Sequence, residues 1–355
     1  MSCDHPFFDN QSRHKPNFMK SSCSTNTPFA NPDISVLSAK MDGFEPQSME
    51  EVLSRTTLQH LQLARGRFLG QVMHAQFSES TLDWGSYNLP LLATGGMPVN
   101  RITLGFILSD DGASRMNGKN FSAPAPAVFT EGTELYYHLA PGTQWMAFQV
   151  ERSQLERIGL TVEQGFSGPV ANATRTHQQL GQLLQQTLAM LWRLSVSAPD
   201  PGVPDPSALM EEVEAHLFDL LTSAIASAEP ATGRDILKRP YAIRLARRAM
   251  DYILADMHAP LRIGTVCSEL QCDLKSLERA FRKVHGMSPR QFLTVCRLNK
   301  ARQLLLDANG EDSVTSAATA CGIQHLGRFS QQYRSWFQER PSETLARSRH
   351  SGKTT

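Results

Sequence analysis

In the stretch LKSLERAFRK, Lys275, Glu278, Arg279 and Arg282 stand at i, i+3, i+4 and i+7, so on a helix they share one face. The opposite face carries the apolar stripe Leu274, Leu277, Phe281 and Val284. The polar set is suited to hydrogen bonding, not to making or breaking covalent bonds. Arginine and lysine donate to guanine O6 and N7, and glutamate accepts from cytosine N4. Lys275 and Arg279 are therefore candidate base-facing donors and Glu278 a candidate acceptor. Arg282 and Lys283, one turn further on, suit phosphate. Taken singly, each is more simply a solvated surface charge. They act as a set only where the rest of the chain builds a frame that presents them.

A second stretch, HLGRFSQQYRSWF at 325–337, repeats the design. Phe329, Tyr333, Trp336 and Phe337 fall at i, i+4, i+7 and i+8 and form its apolar stripe. Together with the residues before them, the two stretches form an internal repeat, TVCSELQCDLKSLERAFRKVHG and TSAATACGIQHLGRFSQQYRSWF. Cys267 and Ala318 each precede a turn residue, Gln271 or Gly322, by four positions. The offset is 51 before the turn and 52 after it, so the second turn is one residue longer. Gly327 then falls on Lys275, Arg328 on Ser276, Ser330 on Glu278 and Gln331 on Arg279. The second polar face is Gly327, Ser330, Gln331 and Arg334, with Gln331 the candidate for adenine. His325 and Arg328, at the helix start, suit phosphate. Gly327 costs its helix roughly 1 kcal/mol against alanine. Its place on the polar face is compatible with a close backbone approach to a partner.

The elements that must hold these faces are legible nearby. A helix is expected from about 240 to 257, then a short one with Val266, Cys267 and Leu270. The LKSLERAFRK helix stops near His285-Gly286. Ser288-Pro289 opens a long helix to about 306, with serine as N-cap and proline at the first position. Ser313 caps a short alanine-rich helix that Gly322 stops, and Pro341 precedes a last one. A small residue, a tight turn and a striped second helix are what a helix-turn-helix needs. The long helix, of about 18 residues and so roughly 27 Å, can hold two such units about one duplex turn apart.

The stretches SLERAFRKVHGMSPRQFLTVCRLNKARQLL and VTSAATACGIQHLGRFSQQYRSWFQERPSETL resemble the DNA-binding domain of the AraC/XylS family of bacterial transcription regulators. The HLGRF ending is most similar to members governing aromatic-acid and ethanolamine catabolism. The resemblance covers roughly the last 110 residues, with the domain placed at 241–348. It implies two recognition helices in successive major-groove segments, a small-molecule effector or dimer contact in an N-terminal β domain, RNA polymerase as a partner, and control of an adjacent operon. Lys275, Ser276, Glu278, Arg279, Arg282 and Lys283 are then the first DNA-binding set. His325, Gly327, Arg328, Ser330, Gln331 and Arg334 are the second. Three departures stand out: Gln271 where glycine or alanine is usual, Ile323 for the common phenylalanine, and Glu339-Arg340-Pro341 for a glycine-containing sequence.

The chain of 355 residues has a net charge of +1, but the balance is unequal. Residues 236–355 hold 20 Lys+Arg against 10 Asp+Glu, and residues 1–235 hold 15 against 24. A basic C-terminal part suits a polyanion. Residues 1–40 are rich in Ser, Asn, Pro and Lys without a period and are expected to form a tail. From 41 to 175, apolar runs alternate with DDG, NGK, EGT and PGT turns, which predicts an all-β unit, barrel or sandwich. Residues 176–230 carry two leucine stripes, Leu180, Leu184, Leu188 and Leu191, then Val213, Leu217, Leu220, Leu221 and Ile225. They are expected to form a helical connector, either a dimer surface or packed within the chain. Residues 231–240 are expected as a linker. The fold class is thus α+β multidomain.

Trp84, Tyr136, Tyr137, His138 and Trp145 are candidate pocket-lining residues. Strand alternation, however, separates Tyr137 from Tyr136 and His138. Six cysteines without C-x-x-C spacing point to inert thiols, with no metal and no cofactor. With no apolar run of bilayer length and no signal pattern, a cytoplasmic protein without a membrane partner is expected. Two competing readings are a regulator controlled by a protein partner instead of a small ligand, and a DNA-repair or modifying enzyme that carries the same DNA-binding module. Cys3 and Cys23 lack the companions such chemistry needs, and no G-x-S-x-G, H-E-x-x-H or phosphate-loop pattern occurs.

Overall fold

The computed structural model describes residues 24–26, 34–46, 49, 52–53, 58–109, 114–116, 119–120, 123, 125–162, 167–169, 207–227, 241–255, 261–308 and 312–351, with positions 184, 186–189 and 191–192. Its strands are β1 (Ser24–Asn26), β2 (Ser35–Asp42), β3 (Gln59–Gln62), β4 (Leu69–Gln76), β5 (Ser80–Tyr87), β6 (Leu91–Gly96), β7 (Arg101–Ser109), β8 (Arg115–Met116), β9 (Lys119–Asn120), β10 (Ala125–Thr130), β11 (Glu134–Leu139), β12 (Gln144–Glu151) and β13 (Ser167–Pro169). The helices are α1 (Arg152–Arg157), α2 (Ser207–Ser227), α3 (Tyr241–Ala255), α4 (Ile263–Glu269), α5 (Leu274–His285), α6 (Pro289–Leu306), α7 (Val314–Ala320), α8 (Leu326–Phe337) and α9 (Pro341–Ser351). Antiparallel sheets thus precede a helical C-terminal part.

One sheet has eight strands in the order β1-β2-β4-β5-β12-β7-β10-β13, and the other has five, β3-β6-β11-β8-β9. Neither closes on itself, so the expected β unit takes the two-sheet form and not the barrel. Alternation decides which residues meet. On β12, Met146, Phe148 and Val150 join Leu82, Trp84, Leu104 and Phe106 in one core. Trp145 points the other way and crosses Gly85, its register partner on β5. A Cβ on Gly85 would lie 2.7 Å from the Trp145 indole, so the close approach requires glycine there.

The leucine stripes cover the outer face of the large sheet. Leu184, Leu188, Leu191 and Trp192, with Val213, Leu217 and Leu221 of α2, belong to the same core as Met146 and Phe148. Among the described residues the intrachain alternative is the one observed: these side chains are covered by the chain itself. β2 also corrects the expected tail, since Ser35–Asp42 pairs along its whole length with β4. The rest of that segment before residue 34, Ser24–Asn26 apart, lies outside the described residues, as do Leu180, Cys3, Cys23, residues 193–206 and the expected linker at 231–240.

The candidate pocket residues separate onto three faces. Trp84 packs at 5.9 Å on Trp192 among the leucines. Tyr137 and Trp145 lie between the sheets, where Tyr137 stands 6.4 Å from Phe129. Tyr136, and His138 with it by alternation, face the C-terminal helices, and Tyr136 meets His285 there. The five therefore line no common cavity. Between the sheets His74 Nδ1 lies 2.7 Å from Asp83 Oδ1 and Gln149 Nε2 donates to Asp83 Oδ2 at 3.3 Å, whereas Thr81 Oγ1, Thr103 Oγ1 and Gln149 Oε1 are buried without a hydrogen-bond partner among the described residues.

The two halves share cores. Leu61, Leu92 and Tyr136 of the small sheet, with Leu63 just after β3, pack with Leu245, Met250, Phe281 and Phe292. Met41, Phe44, Met49 and Leu53 pack with Leu298, Leu305, Phe329 and Phe337. Polar pairs seal the seam. Asn299 Oδ1 accepts from the Gln62 amide at 3.0 Å, and its Nδ2 donates to the Gln62 carbonyl at 3.1 Å.

Candidate nucleic-acid interface

The first helix pair is α4 and α5, joined through Leu270–Asp273. Asp273 caps α5, its carboxylate accepting from the Ser276 amide at 2.9 Å. The Ser276 side chain, and after it the backbone amides of the same turn, hold the exposed Asp273 carboxyl below the usual carboxylate range. Leu277, Ala280, Phe281 and Val284 are buried, which turns Lys275, Arg279, Arg282 and Lys283 outward, all exposed. Ser276 and Glu278 are half-buried at the edge of the same face. The His285 imidazole, stacked at 5.3 Å on Phe292, is lowered by burial to about 3 and so stays neutral beside Tyr136.

The second pair is α7 and α8. Ser313 caps α7 with a reciprocal bond to Ser316. Phe329, Tyr333 and Phe337 are buried, whereas His325, Gly327, Arg328, Ser330, Gln331 and Arg334 are all exposed. The two outer helices have the same length, 12 residues, with Leu274 and Leu326 at their starts, as the offset of 52 requires. The turns also correspond, since Gln271 (φ 50°) and Gly322 (φ 67°) are both left-handed. Nothing lies within 4 Å of a Cβ built on Gly327, so no packing inside the chain calls for glycine there.

Sequence reasoning missed four features. Leu274, expected in the apolar stripe, is 50% exposed, and its counterpart Leu326 is 38% exposed. Both sit at the first helical position, where the side chain points toward the helix start and away from the core. Their equal place in the repeat was the available signal. The Asp273 cap was missed too, although an acidic residue before an apolar period is a recognised start signal. Arg290 and Arg65 were not singled out. They line a cleft of about 650 Å³ between α5, α6 and α8, together with Arg282 and Arg328. No described helix is long and apolar enough to cross a membrane.

A protein-family model described as a helix-turn-helix domain matches residues 266–347. The C-terminal part of this chain is an AraC/XylS-type domain. A relative named "Probable thc operon regulatory protein", from Rhodococcus erythropolis, is 30% identical over 145 residues, 40% of this chain and 44% of that one. An "XylDLEGF operon transcriptional activator 1" of Pseudomonas putida is 40% identical over 74 residues, 21% of this chain and 22% of its own length. A solved structure of a probable AraC family transcriptional regulator from Rhodopseudomonas palustris is 35% identical, covering 30% of this chain and 97% of that chain with a TM-score of 0.28. The chain thus spans less than half the length of these curated relatives.

Proposed function

We propose that the chain is a sequence-specific DNA-binding transcription regulator, an activator that reads two successive major-groove segments. The observation that carries this is the duplicated helix pair, in which two 12-residue helices bury one stripe each and hold the opposite faces in solvent. The pairs act as two helix-turn-helix motifs within 241–348. Lys275, Arg279 and Glu278 read bases from the first, while Arg282, Lys283 and Ser276 hold the backbone. Gln331 and Ser330 read from the second, with Arg334, Arg328 and His325 at phosphates and Gly327 admitting the duplex. The exposed Leu274 and Leu326 offer apolar contact to thymine methyl groups.

Residues 41–175 serve as the regulatory unit and 176–230 as its helical support. A small effector bound there shifts DNA binding, and RNA polymerase is the downstream partner. A thermal-shift screen against amines, aromatic acids and amino acids separates this from control by a protein partner. None of the relatives named above favours the repair-enzyme alternative.

Arg279→Ala is expected to lose about 1–3 kcal/mol at one base pair and to relax preference there. The check is binding of wild type and variant to a panel of single-base variants of a duplex selected from a random pool. An unchanged preference profile would remove Arg279 from the reading set.

A further inference from the structure

The cleft between the two outer helices carries a charge pattern that base reading does not use. Arg282 enters from the end of α5, Arg290 from the start of α6 and Arg328 from the start of α8. The fourth guanidinium, Arg65, belongs to the β unit. No carboxylate lines the cleft, and among the described residues none of these four arginines forms an ion pair. Four like charges lining one cleft with no carboxylate among them repel one another, and an anion in the cleft would relieve that repulsion. The arginine fork fits phosphate oxygens in particular. The start of α6, capped by Ser288, opens into the same space and adds the positive end of an 18-residue helix.

Arg65 does not arrive there on a free loop. The Gly66 amide donates to the Trp336 carbonyl at the end of α8, at 2.9 Å. The Gln62 side chain spans the turn, donating to the carbonyls of Ala64 at 2.7 Å, Gly66 at 3.2 Å and Trp336 at 3.3 Å. Its main chain is clamped by Asn299 of α6. Arg67, two residues on, turns away to pair with Asp42. The loop therefore fixes Arg65 as part of the surface between the outer helices, although it comes from the other half of the chain.

We infer that this cleft seats the DNA backbone between the two read segments, and that Arg65 of the β unit is one of its phosphate contacts. The inference rests on the DNA-reading proposal above. If two helices read segments about one turn apart, roughly 34 Å, the strand between them passes over the ground that separates them. Phosphate contacts there fix register without reading sequence. The seat of the β unit on α6 and α8 then enters DNA affinity directly, through the place it gives Arg65.

The test uses the full chain and a duplex selected from a random pool, with binding followed by fluorescence anisotropy across a salt series. Arg65→Ala is expected to lower the magnitude of the log K against log salt slope by about 0.9, and affinity by roughly five-fold near 0.15 M salt, with base preference unchanged. Arg65→Lys retains most of the slope, and Arg67→Ala leaves it nearly as it was. If Arg279→Ala relaxes base preference while Arg65→Ala leaves the slope unchanged, the inference fails and the DNA-reading proposal stands. If neither Arg279→Ala nor Arg282→Ala alters DNA binding, both fail together. Thermal stabilisation by inorganic phosphate that Arg65→Ala abolishes, with an unchanged DNA slope, would instead make the cleft a site for a small free anion and overturn the inference.

Discussion

The two helix pairs share a backbone and differ in nearly everything a partner would touch. Each joins a seven-residue helix to a 12-residue helix. Each sets two residues in the left-handed region, one in the turn and one at the end of the outer helix. The first pair uses Gln271 (φ 50°) and then Gly286 (φ 71°), while the second uses Gly322 (φ 67°) and then Gln338 (φ 59°). Their outer faces diverge, with Lys275 and Arg279 on one and Gly327 and Gln331 on the other. Their supports diverge as well. The first is seated on the small sheet, where Tyr136 meets His285 and Arg115 donates to the carbonyls of Lys283 and Val284, each at 3.0 Å. The second is held by Arg302. Backbone geometry has few solutions for a tight turn between helices, so it repeats. Surface chemistry has no such constraint, so the two faces are free to play unequal parts.

The largest expected effect tests the unequal supports. Arg302 is 1% exposed; its side chain donates to the Phe44 carbonyl, to Glu339 and to the Tyr333 hydroxyl, and lies 4.7 Å over the Phe337 ring. Glu339 also accepts from Arg347 at 2.9 and 3.1 Å and from Thr344 at 2.9 Å. Burial pushes the Glu339 carboxyl up, but Arg302 and Arg347 together hold it below its usual value. Arg302→Ala leaves a carboxylate and a carbonyl short of their partner. A loss of about 3 kcal/mol in urea unfolding is expected, the lower end for a broken buried pair because Arg347 remains. A loss under about 1 kcal/mol would mean that apolar packing alone seats the second pair.

That support also marks where sequence stops being legible. The repeat, the 51 and 52 offsets and the helix boundaries were readable because they are local. The turns, caps and stripes sit within a few residues of what they control. Glu339 could be noted only as a departure from the family pattern, since its role depends on Arg302 and, through it, on Phe44. Gln62 and Asn299 are 237 residues apart, and neither carries a local signal of the other. The leucine stripes were visible as apolar but not as to what covers them, because an amphipathic stripe specifies only that it is covered. The basic face of the first outer helix was legible. The cleft beside it was not, because Arg65 comes from another part of the fold.

A smaller effect tests the shared backbone. An L-residue in the left-handed region costs about 1–2 kcal/mol, which glycine avoids at the expense of chain entropy. Gln271→Gly is therefore expected to stabilise the chain by up to about 1 kcal/mol, and Gly322→Gln to destabilise it by a similar amount. Thermal unfolding of both variants is the check. Opposite signs mean that the two turns are equivalent positions holding different residues. A Gln271→Gly variant that loses stability would show that the glutamine side chain makes a compensating contact, and the equivalence would break.

The smallest effect concerns the second reading face. Gly85 must be glycine because the Trp145 indole occupies the space of a Cβ, but around Gly327 that space is empty. Within the chain, Gly327→Ala therefore gains helix propensity without a clash, and stabilisation of up to about 1 kcal/mol is expected. A glycine kept against that gain at a solvent-facing position points outward for its reason. If the duplex comes against the backbone there, the same alanine lowers DNA affinity while raising the melting temperature. Melting and binding measured on one preparation decide it. A more stable variant that binds DNA as tightly as wild type would leave the second helix with Gln331 and Arg334 as its contacts and no close approach, making the two faces more alike than their sequences are.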